Sequence, residues 1–374
     1  MDKKSIGILT FHRPINIGAA LQAVATFQYL RQSGFNPEII DYRQKYAEKC
    51  RKLVGGRWTN KKSVLGNLKS VVKDFIDLPI EKKRQVAFNG FVQEHVSLSS
   101  KCSTAEQVAQ IAQKYDVLLV GSDLVWNWEM ETAFDDVFFL NFPTREKCKK
   151  MSYSSSVGSS HIPEVYKARY QGLLKNFDCI SVREKSTKEI LDSMVEQKVQ
   201  CTVDPTLLLK KNDWEQFERT VKVPGKYILI YLLQQTEEAS EIVNEVVRTY
   251  NLPVIYYSKK PKKFGTVHCE NAYEYGPDAF LYLIHHAEFV VTNSFHGTVF
   301  SVIYEKPFVT IPHTTRGARM IDFLNEIEMQ DHCVSNKALL DIEKCKKGIP
   351  ASGECKLNSW IKNSESYLIN SVES

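Results

Sequence analysis

A chain of 374 residues exceeds one ordinary hydrophobic core and suits two α/β domains. With 43% apolar and 25% charged residues it is not a disordered chain, and no run approaches the roughly 18 apolar residues of a spanning helix. The formal charge of +5 is uneven: residues 43–84 hold thirteen Lys or Arg against four acids, which favours an anionic surface or a phosphorylated ligand over nucleic acid.

In chain order, residues 6–10 read as a first strand and 16–32 as a helix. Leu21, Val24, Ala25 and Gln28 share one face of it, and Gly34 ends it. Asn36-Pro37 turns the chain into a strand over 38–42, which completes a βαβ unit. The helix start carries Asn16 and Gly18 but no G-x-G-x-x-G, so it marks no dinucleotide site. Gly18 either admits a ligand to the backbone or serves an ordinary tight turn.

In the basic segment, Val64, Leu65, Leu68, Val71, Val72, Phe75 and Ile76 form the apolar stripe of an amphipathic helix. Lys61, Lys62, Lys69 and Lys73 lie between them. One reading is a solvated charged face; the other is a surface for anionic lipid head groups or a diphosphate. Residues 115–120 then form a buried strand ending at Gly121-Ser122-Asp123, before Trp126 and Trp128. Strands over 151–156 and 178–182 end in a serine run containing Ser155 and at Arg183, and a helix continues to about 194. In a parallel sheet these three polar strand ends share one edge.

Asp204-Pro205 reads as the passage to a second domain of the same alternation. Its strands fall over 227–233, 253–257 and 288–292, and its helices over 237–250 and 278–285. The decisive stretch is 289–309: a strand, the polar turn 293–297, a helical run over 298–304, and a strand from 308. Asn293, Ser294, His296 and Gly297 occupy the strand–helix junction, where free backbone N–H groups suit an anion. His296 can add a proton donor or acceptor near neutral pH. The alternative is an N-capping cluster whose histidine only packs on the sheet. His313, Arg316 and Arg319 follow the next strand.

The expected domains are therefore 1–204, with a basic helical insertion over about 43–100, then 205–335. A partly helical tail over 336–374 would pack back on the first domain. Nine scattered cysteines without C-x-x-C imply neither a disulfide framework nor a metal site, and a reducing compartment. His285 and His286 read as ordinary helix residues. The apolar part of residues 1–11 is too short for a signal peptide, so the expectation is a soluble cytoplasmic protein able to lie against the inner face of a membrane.

Several runs together resemble the polysaccharide pyruvyl transferase family: NIGAALQ, GSDLVWNW, SYSSSVGS, ISVREKS, VDPTLLL and, most specifically, VTNSFHGTVFSVIYEKPFV. The resemblance implies two Rossmann-like domains facing across a cleft, as in GT-B glycosyltransferases. It implies phosphoenolpyruvate as co-substrate, a saccharide hydroxyl pair, free or lipid-linked, as acceptor, and a pyruvate ketal as product, with no cofactor. The family's histidine falls on His296 and its strand-end arginine on Arg183. Many members carry Arg-Leu-His-Gly where this chain has Ser294-Phe295-His296-Gly297, so Arg316 or Arg319 would replace a missing guanidinium. Donor binding is thus expected from Arg183, Asn293, Ser294, Gly297, Arg316 and Arg319, and acid–base chemistry from His296 with Asp123. Acceptor binding is expected from Asn16, Gly18, Ser122, Trp126 and Ser155. Two other classes compete. A nucleotide-sugar glycosyltransferase would want a ribose-binding acid after 254–257, where Ser258-Lys259-Lys260 stands. A non-catalytic saccharide-binding protein is disfavoured by His296 together with several arginines.

Overall fold

Buried aliphatic runs alternate with helices to give two parallel sheets, one in each unit of the chain. The structure, a computed structural model, describes all residues except 1–2, 45–46, 49–50, 55–63, 130–133, 160, 261 and 315–316, and the side chains of 64–70 and 318. The first unit is Met1–Leu208 with Lys362–Ser374, and the second is Leu209–Ile361. Among the described residues, no helix is long and apolar enough to cross a membrane.

The first unit opens with β1 (Ser5–Leu9), α1 (Ile17–Gln32) and β2 (Asn36–Ile39), followed by α2 (Val64–His95) and α3 (Ala105–Ala112). Then come β3 (Val117–Val120), β4 (Lys149–Ser152), α4 (Glu164–Leu174), β5 (Ser181–Val182), α5 (Lys185–Asp192) and β6 (Gln200–Cys201). The main sheet has the order β2-β1-β3-β4, with β1 parallel to both neighbours. Parallel bridges Asp123–Ser155 and Ser155–Val182 align the ends of β3, β4 and β5, as the sequence reading of one polar edge requires. Helix α1 is buried on nearly every side, not along the single face expected from its periodicity. Its small residues allow close packing, and its buried polar groups are satisfied internally: Gln22 Nε2 donates to Thr10 Oγ1 (2.9 Å) and Thr26 Oγ1 to the Gln22 carbonyl (2.8 Å).

The second unit holds α6 (Lys211–Glu215), β7 (Ile228–Tyr231), α7 (Glu237–Tyr250), β8 (Val254–Tyr256), β9 (Cys269–Asn271) and α8 (Pro277–His285). It continues with β10 (Phe289–Thr292), α9 (Phe295–Ile303), β11 (Phe308–Thr310), α10 (Ala318–Glu326) and α11 (Ile342–Cys345). The sheet order is β11-β10-β7-β8-β9, all parallel, and β10 is flanked by β7 and β11. The last helix, α12 (Ala351–Glu373), begins in this unit and ends in the first. There Tyr367 Oη donates to the Ser152 carbonyl (3.0 Å), and Ser364 Oγ accepts from Val203 N (3.0 Å).

One boundary matters for the site. The helix after β10 starts at Phe295, not after Gly297, because Ser294 is extended (φ −101°, ψ 133°) and caps it by accepting from Gly297 N at 3.4 Å. His296 therefore sits in the first helical turn. Gly297 is set by packing: a Cβ there would lie 2.3 Å from Thr292 Oγ1.

Candidate active site

In the second unit, three loops at the carboxyl ends of β7, β10 and β11 are tied together by side chains. Asn293 Oδ1 accepts from Leu233 N (2.6 Å), and its Nδ2 donates to the Gln234 carbonyl (2.7 Å). Gln234 in turn donates from Nε2 to Thr314 Oγ1 (2.8 Å) and accepts from Thr314 N (3.2 Å). Asn293 thus has a positioning task, and Gln234 and Thr314 are partners that no local sequence pattern announces.

His296 is 7% exposed at the head of α9, and Phe295 is 4% exposed beside it, their rings edge-to-face at 5.3 Å. The Arg319 guanidinium lies over the Phe295 ring, 5.5 Å from its centroid, which brings a cation to the same helix end. The first turn of α9 contains no acidic residue. The positive end of the α9 dipole, Ser294, His296 and Arg319 together form a place that favours an anion and can move a proton. Arg316 lies outside the described residues. Farther along the same edge, a cavity of about 260 Å³ is lined by Tyr256, Tyr257, Phe264, Lys262 and Lys263, among others.

The first unit presents a different arrangement. Arg183 is 5% exposed, with Nη1 bonded to Asp204 Oδ2 (2.9 Å) and Nε to Glu184 Oε1 (3.1 Å). Ser122 donates to Asp204 (3.3 Å) and Ser156 to Glu184 (2.7 Å). Burial opposes the arginine's charge, but Glu184 and Asp204 raise its pKa above the ordinary value. Two carboxylates already match this guanidinium. The expectation of a donor ligand at Arg183 is therefore revised to an internal cation that joins the end of β5 to residue 204.

Three expected acceptor residues are also internal. Trp126 is 0% exposed, stacked 5.6 Å from Phe139 and edge-on to Phe177 at 5.4 Å, with its indole N–H donating to the Phe138 carbonyl (2.9 Å). No face of the ring is left for a sugar. Ser122 and Ser155 are 0% exposed, and Ser155 Oγ donates to the Gly121 carbonyl (3.0 Å). Asn16 is exposed and caps α1, accepting from Ala19 N (3.0 Å), while Gly18 is buried in the first turn. Asp123 is half-buried with a left-handed backbone (φ 78°), and its Oδ1 accepts from Leu124 N (2.9 Å). It shapes its own turn, in a conformation that ordinary residues seldom adopt.

The sequence reading missed a charged cluster beyond β1 and β2. His12 Nε2 meets Asp41 Oδ1 (3.2 Å), and Arg43 Nη2 donates to Asp41 Oδ2 (2.8 Å). Arg13 binds Glu48 through two bonds of 2.6 and 2.9 Å. Although burial works against it, His12 and Arg43 hold the Asp41 carboxyl well below the usual range. Burial, with Arg13 nearby, pushes Arg51 down to about 10. Only folding brings His12, Arg13, Asp41, Arg43, Glu48 and Arg51 together, so no spacing rule could find them.

Comparison with known proteins gives this geometry a context. The UDP-N-acetylglucosamine 2-epimerase of Rickettsia bellii aligns over 100% of this chain and 98% of its own, at 11% identity and a TM-score of 0.54. The UDP-GlcNAc 2-epimerase of Neisseria meningitidis aligns over 98% and 99% at 12% identity (TM-score 0.47). A spinosyn forosaminyltransferase aligns over 100% and 96% at 12% identity (TM-score 0.42). The chain thus has the α/β fold of two Rossmann-like units found in GT-B proteins. No curated protein sequence matches it. The sequence profile described as "Polysaccharide pyruvyl transferase" matches residues 16–315. That span runs from the cap of α1 through the His296 loops, and the chain belongs to the polysaccharide pyruvyl transferase family.

Proposed function

We propose that the protein transfers the enolpyruvyl carbon skeleton of phosphoenolpyruvate onto two hydroxyls of a saccharide, giving a pyruvate ketal and inorganic phosphate. The observation that carries this reading is His296 in the first turn of α9, with Arg319 held against the adjacent Phe295. Phosphoenolpyruvate brings a phosphate and a carboxylate to the positive end of a helix dipole and a guanidinium. In this reading Arg319, in the first turn of α10, stands in for the arginine absent at Ser294.

The chemistry asks for one proton delivered and two removed. A proton added to the methylene carbon of the donor makes C2 electrophilic, and one sugar hydroxyl adds there and loses its proton. The C2–O bond to phosphate then breaks, and the second hydroxyl adds to C2 with loss of its own proton. His296 is the acid–base group for the donor end of this sequence. Asp123 is the base on the acceptor side, at the strained turn after β3. The test is phosphate release from phosphoenolpyruvate: release that depends on a galactoside or similar diol acceptor supports the reading, and its absence with every acceptor removes it.

A second reading, a nucleotide-sugar transferase, is favoured by the aromatic and lysine lining of the 260 Å³ cavity. It predicts consumption of a nucleotide sugar and no use of phosphoenolpyruvate.

We also infer that the acceptor is lipid-linked and that α2 meets an anionic bilayer. Over residues 72–86 the exposed positions are Val72, Lys73, Phe75, Ile76, Pro79, Lys82, Lys83 and Val86. The acids of that stretch, Asp74, Asp77 and Glu81, all lie off this face. Phe75 is 60% and Ile76 74% exposed, which is costly in water and useful at a lipid surface. Lys61 and Lys62 lie outside the described residues, as does the side chain of Lys69. The protein should sediment with anionic but not neutral liposomes at low salt, each lysine near the surface contributing about 1 kcal/mol. Replacing Lys73, Lys82 and Lys83 by Gln should weaken that binding and spare turnover on a short soluble acceptor. Equal binding to neutral vesicles, binding to none, or self-association through this face would each contradict the inference.

A further inference from the structure

Away from the His296 loops, the second unit gathers Glu218, His285 and His286, with one ligand atom from each within 4.8 Å of the others. The sequence shows only two adjacent histidines at the end of α8. The fold adds the carboxylate, carried by the segment that follows α6. His285 Nδ1 lies 2.8 Å from Glu218 Oε1, and its Nε2 is 3.7 Å from the Glu215 carboxylate.

A ligating histidine commonly donates its second ring N–H to a carbonyl or carboxylate, which fixes the tautomer and the ring plane. His286 Nδ1 lies 3.0 Å from the Tyr282 carbonyl, an acceptor only, so Nδ1 carries the proton and Nε2 the lone pair. The His286 ring is stacked on Tyr282 (4.2 Å between centroids), and the His285 ring on Tyr304 (4.5 Å, 11° between planes). His286 thus has a carbonyl that orients it, and both imidazole rings are held against tyrosine rings.

We propose that Glu218, His285 and His286 bind one divalent transition-metal ion, of the zinc, cobalt or nickel class, and so fasten the end of α8 to the segment after α6. Two imidazoles and a carboxylate suit these ions, and three protein ligands leave a fourth position for water. Tetrahedral zinc would draw its ligand atoms to roughly 3.3 Å apart, a small closure that the exposed His286 side chain can supply. The metal takes the place of the proton between His285 and Glu218, and that proton passes to solvent.

The test uses the full-length protein with its cysteines alkylated, titrated with zinc alone by calorimetry and with cobalt alone by absorption. The expected result is one equivalent of zinc bound, with a rise in melting temperature. His286→Ala and Glu218→Gln should each weaken binding about ten-fold or more. His268→Ala serves as control, because the exposed His268–Glu270 pair (2.9 Å) resembles His285–Glu218 without a third ligand. It should bind like the parent protein. No saturable zinc binding, or affinity unchanged in both His286→Ala and Glu218→Gln, overturns the proposal.

Discussion

His296→Ala is expected to lower turnover with phosphoenolpyruvate by about 10²–10⁴-fold, the usual worth of a positioned acid–base group. The melting temperature should change little. The imidazole sits at the rim of the second unit's sheet, 7% exposed, and the helix it begins keeps its Ser294 cap and its Gly297–Thr292 packing. His296→Gln keeps a hydrogen-bonding group without a titrating one and should lose nearly as much. If either variant turns over at a near-normal rate, His296 has no proton to move.

Arg183→Ala should act in the opposite way, on stability before chemistry. Removing the guanidinium leaves Asp204 and Glu184, 1% and 7% exposed, as buried carboxylates without their cation. Breaking a buried pair from one side costs about 3–5 kcal/mol, on the order of 10 °C in melting temperature for a unit of this size. Arg183→Lys keeps the charge but cannot hold both carboxylates in the same geometry, and should fall between the two. The measurement is thermal or denaturant unfolding alongside donor KM. A stable Arg183→Ala protein with a raised KM would return Arg183 to the donor site.

The contrast between these two residues shows what a sequence can and cannot disclose. His296 was legible because its neighbours in the chain build its surroundings: an apolar strand, a capping serine, a glycine that packs on the strand and a helix follow one another within fifteen residues. Strand ends at Ser122, Ser155 and Arg183 were legible for the same reason, and the bridges between residues 123, 155 and 182 do align them. What each side chain meets there was not. Asp204 reaches Arg183 from the far side of α5 and β6, and Phe138 and Phe177 enclose Trp126 from two separate segments. A polar or aromatic residue at a strand end has no local signature that separates a ligand contact from an internal bond. β9 escaped for another reason: Cys269–Asn271 is three residues at a sheet edge with no apolar run.

The central claim is that both carbon and proton chemistry occur on phosphoenolpyruvate. It is tested most directly by running the reaction in D2O with carbon-labelled donor and a diol saccharide, then weighing the sugar product. The account predicts a saccharide heavier by one labelled pyruvate less water, with one deuterium in the new methyl group, and one phosphate released per ketal. Phosphate release with no change in the sugar, a ketal without solvent deuterium, or transfer from a nucleotide sugar would contradict it.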